Sequence, residues 1–192
     1  VNVNGQEVHH SDSSLSIYKI NYEIKNILIN PKKYTPLKKI PKHMILVFKC
    51  KERQSNLSII KTIASMQFTI RSRSLWHLAR INKVAAKIKA KYSEKEILLY
   101  FFHSVYLGSG IYGIERASKY YFNKPVIKLT IAESAILANL WESYRTSPFR
   151  AQESAKKAQR QLLQFMVKEK LITQKEVDKS IHDFWKSFKY KP

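Results

Sequence analysis

Three times this sequence writes the same helix-start signal: a hydroxyl residue, a glutamate three positions later, then apolar residues at helical spacing. The pairs are Ser93 with Glu96, Thr130 with Glu133 and Thr173 with Glu176. The hydroxyl accepts from the backbone N–H three residues on, while the glutamate reaches back to the first residue. Two of the unbonded N–H groups at a helix start are satisfied this way. Ile97, Leu98, Phe101 and Val105 follow the first box, and Ala132, Ala135, Ile136, Leu137 and Leu140 the second. Val177, Ile181, Phe184 and Trp185 follow the third. Each set is predicted to point inward from one helix face. With three boxes and no hairpin expected, the chain reads as all-α.

Between the first two boxes lie three of the four glycines, Gly108, Gly110 and Gly113, in a run rich in tyrosine and phenylalanine. The reading is two helices joined by a glycine-punctuated aromatic loop, where glycine lets the backbone turn and pack closely. Gly108 to Gly113 also satisfies Gly-x-Gly-x-x-Gly, with Glu133 twenty residues beyond. A dinucleotide-binding reading is rejected, because that fingerprint follows a strand in a βαβ series. Both flanks here are capped helices.

From Tyr92 onward the chain reads Tyr-Ser-Glu-Lys-Glu-Ile-Leu, then Val-Tyr-Leu-Gly-Ser-Gly-Ile-Tyr-Gly-Ile-Glu. Tyr-Tyr-Phe-Asn-Lys and Leu-Thr-Ile-Ala-Glu-Ser-Ala-Ile-Leu-Ala come next. In order and spacing this resembles the latter half of the peptidoglycan glycosyltransferase domain, the bacterial transglycosylases that polymerise lipid II. Ser147-Pro148, the Leu162-Leu163…Met166 run and Leu171-Ile172-Thr173…Glu176 extend the resemblance towards the end of the chain. It implies a lysozyme-like helical glycosyltransferase domain, placed at residues 38–192. Residues 1–37 have weak periodicity and read as a short irregular arm or linker, with one short strand expected around Leu15 to Ile29.

Carried over residue by residue, the resemblance also implies a site. A helix opening at Pro41 puts Glu52 at the family's catalytic glutamate, the general base; Arg53 replaces the aspartate that follows it there. Ser58 stands for a threonine, Lys61 and Thr62 for a glutamine pair, and Arg73 to Trp76 match an Arg-(Ser/Thr)-Leu segment. In the next helix Ile81 takes the place of the family's second active-site carboxylate. Isoleucine cannot accept a proton, orient a sugar or hold a metal. Arg80 belongs to a basic stripe with Lys83, Lys87 and Lys91 on that helix, opposite an apolar stripe of Ile81, Val84, Ala85, Ile88 and Tyr92. The stripe reads as a solvated face or as a contact for a diphosphate or anionic lipid. His103 stands for an asparagine, and the arginine of a later helix falls at Gln159 or Arg160. The implied site is therefore Glu52 as catalytic residue, with Ser58, Lys61, Thr62, Arg73, Arg80, His103 and Arg160 binding substrate.

Charge bears on partners. Thirty-five Lys+Arg against 14 Asp+Glu leave a formal +21, which draws polyanions: nucleic acid, anionic lipid head groups or a diphosphate-bearing substrate. Part of that charge also fits the Lys- and Ile-rich, Gly-poor composition of an AT-rich genome. The single cysteine, Cys50, excludes an intrachain disulfide. His9 and His10 have no carboxylate or cysteine cluster around them, so no protein metal site is expected. Mg²⁺ or another divalent cation could still enter with a substrate diphosphate. No run of ~18 apolar residues would span a bilayer. The chain starts at Val1, so a signal or anchor is expected to be missing from the sequence.

Three functions remain open. The first is a peptidoglycan glycosyltransferase that uses Glu52 as base and extends glycan from a lipid-linked disaccharide precursor. The resemblance places it in the bacterial cell envelope, at the outer face of the cytoplasmic membrane, beside an anionic lipid surface. The second is a non-catalytic relative that binds precursor, glycan strand or a cell-wall partner. The third, a basic helical nucleic-acid binder, has charge alone behind it, and nucleic acid is not the expected partner.

Overall fold

All three capping boxes close in the computed structural model, which describes residues 2–3, 6–7, 19–20, 22–26, 36–55, 58–68, 74–143 and 147–188. The Ser93 N–H donates to Glu96 Oε2 at 2.9 Å at the start of α5 (Glu94–Ser104). Thr130 and Glu133 exchange bonds of 2.8 and 3.2 Å at the start of α7 (Ile131–Glu142). Thr173 and Glu176 do so at 2.8 and 3.3 Å before α9 (Gln174–Ser187).

The remaining helices are α1 (described over residues 19–20 and 22–26), α2 (Lys42–Gln54), α3 (Ile59–Ser65), α4 (Leu75–Lys91), α6 (Ile114–Phe122) and α8 (Gln152–Lys168). Short 3₁₀ turns lie at Leu37–Lys39 and Val126–Lys128. The all-α expectation holds, with two local corrections. Where a strand was expected around Leu15 to Ile29, the described residues are helical, and Ile20 and Ile24 are buried. β-branched isoleucines at i and i+4 fit a helix face as well as a strand, and packing decides between them. The second correction is a two-residue antiparallel ribbon, β1 (Asn2–Val3) with β2 (Gln6–Glu7). Its signal was in the sequence: Asn4-Gly5, between the paired residues, is the dipeptide that two-residue hairpins favour.

The chain forms two compact units, Val1–Leu37 with Ser58–Phe102, and Lys38–Leu57 with His103–Pro192. In the first, α3 and α4 pack on each other. Each opens at a serine, Ser58 accepting from the Lys61 N–H and Ser74 from the His77 N–H. Ile59, Ile63 and Ala64 of α3 are buried, as are Val84, Ala85 and Ile88 of α4.

The second unit is built around α7. Every residue from Ala132 to Leu140 is buried, which marks a helix packed on all sides rather than on one stripe. Helices α2, α6, α8 and α9 all pack against it. α2 contributes Met44, Val47 and Phe48, α8 contributes Leu162, Leu163 and Met166, and α9 contributes Val177, Ile181 and Phe184. Each such side chain stabilises the unit by about 1.5–3 kcal/mol through burial. Trp185, expected to point inward, is only half-buried. Among the described residues no helix is long and apolar enough to cross a membrane.

Candidate functional site

The glycine-punctuated loop is a closed structure. Leu107 N–H donates to the Ile111 carbonyl at 2.9 Å, and Gly113 N–H to the Val105 carbonyl at 2.8 Å. Gly108, Ser109 and Gly110 take φ of 86°, 51° and 73° in succession, a left-handed run that glycine permits most cheaply. The Tyr106 and Tyr112 rings lie 5.1 Å apart across it. From α6, the buried Tyr121 hydroxyl donates to the Leu107 carbonyl at 2.8 Å. Burial pushes that phenol's pKa above its ordinary value. Gly113 has φ 82°, and a Cβ there would lie 2.6 Å from the His103 carbonyl oxygen. The loop is thereby fixed against the last turn of α5, where His103 stands half-buried.

Glu52 lies near the C-terminal end of α2, half-buried. Its two neighbours in the chain are held by acids from other helices. Lys51, 4% exposed, pairs with Glu142 at the end of α7 at 2.6 Å. Arg53 pairs with Glu169, which caps α8, at 2.5 Å. Its guanidinium also stands 5.9 Å from the centre of the Phe165 ring. Arg53 therefore fastens the end of α2 to α8. Gln54 adds a bond from Nε2 to the Gln161 carbonyl at 3.3 Å. Beside these contacts lies an open groove of about 750 Å³ lined by Gln54, Lys157, Arg160, Gln164, Phe165 and Lys168.

The structure gathers Ser58, Lys61 and Thr62 on one helix, α3. Ser58 is its N-cap, Lys61 is exposed and Thr62 half-buried. Arg80 is exposed on α4. Arg73 lies outside the described residues. These positions belong to the first unit, whereas Glu52, His103 and Arg160 belong to the second. Of the two residues that could stand at the family's arginine position, Gln159 is fully buried, while Arg160 is exposed on the groove. Sequence reasoning missed the other groove residues. The signal for them was the spacing 157, 161, 164, 168, one stripe of an α-helix.

A second cavity, of about 640 Å³, includes His43, Lys124, Glu133, Glu176 and Asp183 in its wall. His43 Nε2 is buried with no hydrogen-bond partner among the described residues. Burial pushes the imidazole pKa below 6.5, outweighing the Leu129 and Thr130 backbone bonds and the Glu133 charge. Glu133 itself is almost fully buried, yet it accepts from Thr130 and, at 2.6 Å, from the Lys124 ammonium. Among the described residues, no three or more His, Cys, Asp or Glu side chains gather that could hold a metal ion.

Comparison with known proteins gives this arrangement a lineage. The profile of the Transglycosylase family matches residues 58–167. Penicillin-binding protein 1A of Aquifex aeolicus is 31% identical over 130 residues, covering 67% of this chain and 18% of that protein. Penicillin-binding protein 1A of Neisseria gonorrhoeae is 35% identical over 133 residues, covering 68% and 16%. A crystal structure of penicillin-binding protein 1A from Haemophilus influenzae is similar at 21% identity and a TM-score of 0.48, over 77% of this chain and 17% of that one. The chain thus spans less than a fifth of the length of these relatives. Glu52 lies six residues before the matched segment begins, while the three-glycine loop and the central α7 lie within it. With more than half of its residues matched to that profile, the chain belongs to the transglycosylase family.

Proposed function

We propose that this domain works in bacterial cell-wall synthesis as a peptidoglycan glycosyltransferase, taking lipid II or a growing glycan strand as substrate, with Glu52 as its general base. The observation that carries this reading is the family match across the three-glycine loop and the buried α7. In the proposed step, Glu52 takes the proton from the acceptor sugar's hydroxyl. The freed oxygen electron pair forms the new bond to the donor's anomeric carbon. The carbon–oxygen bond to the lipid-linked diphosphate breaks with its electron pair, and the anomeric centre inverts. Lys61, Arg73, Arg80 and Arg160 are the cations proposed to meet the departing negative charge, since developing anions need fixed positive partners. Ser58, Thr62 and His103 are proposed to hold the sugars. The setting proposed for this chemistry is the outer face of the cytoplasmic membrane, where a lipid-linked precursor is presented.

A second reading follows from Ile81, which the resemblance puts at the family's second carboxylate position: a relative that binds precursor or glycan without polymerising it. Labelled lipid II incubated with the purified chain, and with Glu52→Gln beside it, separates the two. The expected result is glycan product from the native chain and a loss of about 10²–10⁴-fold in the variant, the usual share of a positioned base. Full activity in Glu52→Gln overturns the base assignment. Precursor binding with no product from the native chain establishes the second reading instead.

A further inference from the structure

The cavity of about 640 Å³ in the second unit plays no part in the proposed chemistry. It opens between the start of α2, the start of α7 and one face of α9. Ile131, Ile172 and Phe184 form its apolar wall, and its polar wall carries both signs of charge. Most of that charge is already engaged. Glu133 takes the Lys124 ammonium on one oxygen and Thr130 on the other, while Glu176 takes Thr173. Three groups stand apart. Lys179 is exposed and has no hydrogen bond or ion pair among the described residues. The Asp183 carboxylate has there only the exposed ring of its chain neighbour His182, at 3.4 Å. His43 Nε2 is buried with no partner among the described residues, and burial keeps that imidazole uncharged at neutral pH.

We infer that this cavity binds a short zwitterionic peptide, one with a free ammonium and a free carboxylate. Asp183 takes the ammonium and Lys179 the carboxylate. An apolar side chain lies on Ile131, Ile172 and Phe184, and a peptide N–H donates to His43 Nε2. Each part has its physical reason. Lys179 and Asp183 are four positions apart on α9, so both charges sit on one helix face, a turn or ~5.4 Å apart. They form no ion pair with each other. A single amino acid carries its two charges on one carbon, too close together to span that turn. One further residue adds about 3.5 Å, which makes a dipeptide the shortest chain that reaches both. An anion alone would face the carboxylates of Glu133, Glu176 and Asp183, and a cation alone the Lys124 and Lys179 ammonium groups. Leaving a buried nitrogen without a partner is costly, and a peptide N–H removes that cost. The volume also falls within the ~300–1,000 Å³ of small-ligand sites, which set a few polar groups in an apolar wall. The inference uses neither Glu52 nor any sugar substrate, so its failure and the failure of the polymerisation assay are distinct results.

The test is calorimetric titration of the whole chain with alanyl-leucine, and with the doubly blocked N-acetyl-alanyl-leucinamide, while NMR follows the His43 ring. Lys179→Gln and Asp183→Asn change exposed side chains, so circular dichroism should report native helix in both variants. The expected result is saturable binding of alanyl-leucine that moves the His43 resonances, with the blocked peptide about tenfold weaker or more. Each variant should weaken alanyl-leucine about tenfold or more, the usual share of a hydrogen bond to a charged group. Alanyl-leucinamide, which keeps the ammonium alone, should lose affinity in Asp183→Asn and not in Lys179→Gln. Absence of saturable binding by alanyl-leucine overturns the inference. Equal binding of the blocked peptide overturns it too, as does binding that both variants leave unchanged, because the contacts would then lie elsewhere.

Discussion

The indole N–H of Trp185 donates to Gln159 Oε1 at 2.7 Å, while the same amide's Nε2 donates to the Ala132 carbonyl at 2.8 Å. One fully buried side chain on α8 therefore ties α9 to the first turn of α7. Gln159→Leu keeps roughly the volume and removes both bonds, leaving polar groups without their partner inside the unit. Losing a buried partner in this way costs about 1–3 kcal/mol. Urea unfolding of native and variant chains should show a lower midpoint with unchanged slope. Equal midpoints would mean that water takes over both bonds.

Two glycines of one loop separate strain from space. Gly110 and Gly113 both have positive φ, 73° and 82°, but a Cβ on Gly110 meets nothing within 4 Å. A Cβ on Gly113 would lie 2.6 Å from a backbone oxygen that cannot rotate away. Gly110→Ala should therefore lower stability by about 1–2 kcal/mol, the left-handed penalty alone. Gly113→Ala should add a backbone shift and lose more than that, up to about 3 kcal/mol for a strained residue held in place. Thermal melts of the two variants side by side check the order. Reversed order would contradict the loop geometry.

Much of the second unit was legible because its signals are local. A capping box needs only three residues to be read, and all three predicted boxes close. The helix opening at Pro41 follows from its proline and the inward Val177, Ile181 and Phe184 of α9 from periodicity, while α7, expected to bury one face, is buried on all sides. With the resemblance these helices point to the all-α, lysozyme-like class. The misses have the same logic in reverse. Ile20 and Ile24 suit strand or helix, so only tertiary packing could decide between them. Arg53 looked like a bare departure from the family pattern. Its partner Glu169 lies 116 positions away, a distance no local signal spans. That Gln159 faces the core while the adjacent Arg160 is exposed is likewise a matter of packing that no local signal reports.

Thr130→Ala probes the cap of the central helix. Thr130 Oγ1 accepts from the Glu133 N–H and donates to Glu133 Oε2 at 3.0 Å. Its loss leaves a nearly buried carboxylate with fewer donors, Lys124 remaining at 2.6 Å. A stability loss of about 0.5–2 kcal/mol is expected, as for other N-cap hydroxyls, and Thr130→Ser should restore most of it. Amide hydrogen exchange in the first turn of α7 gives a local readout. If Thr130→Ser is as weak as Thr130→Ala, the hydroxyl is not the active group.

His43 sets the sign of a pH dependence. Burial lowers its folded-state pKa below 6.5, so the folded chain takes up this proton at a lower pH than the unfolded chain does. Protonation then favours unfolding: the stability is whole above 6.5 and is lost as pH falls through the lower folded value. Glu96 and Glu176 also have depressed folded values, held down by the Ser93 and Thr173 hydrogen bonds. Their contributions are lost only below the ordinary carboxylate value of 4.5, which separates the two windows. Unfolding free energies measured from above 6.5 down to 4.5 should therefore decline in the native chain. The decline should flatten in His43→Gln, whose amide carries no proton to lose or gain. A slope that survives the substitution unchanged would assign the titration to another group and remove His43 from the account.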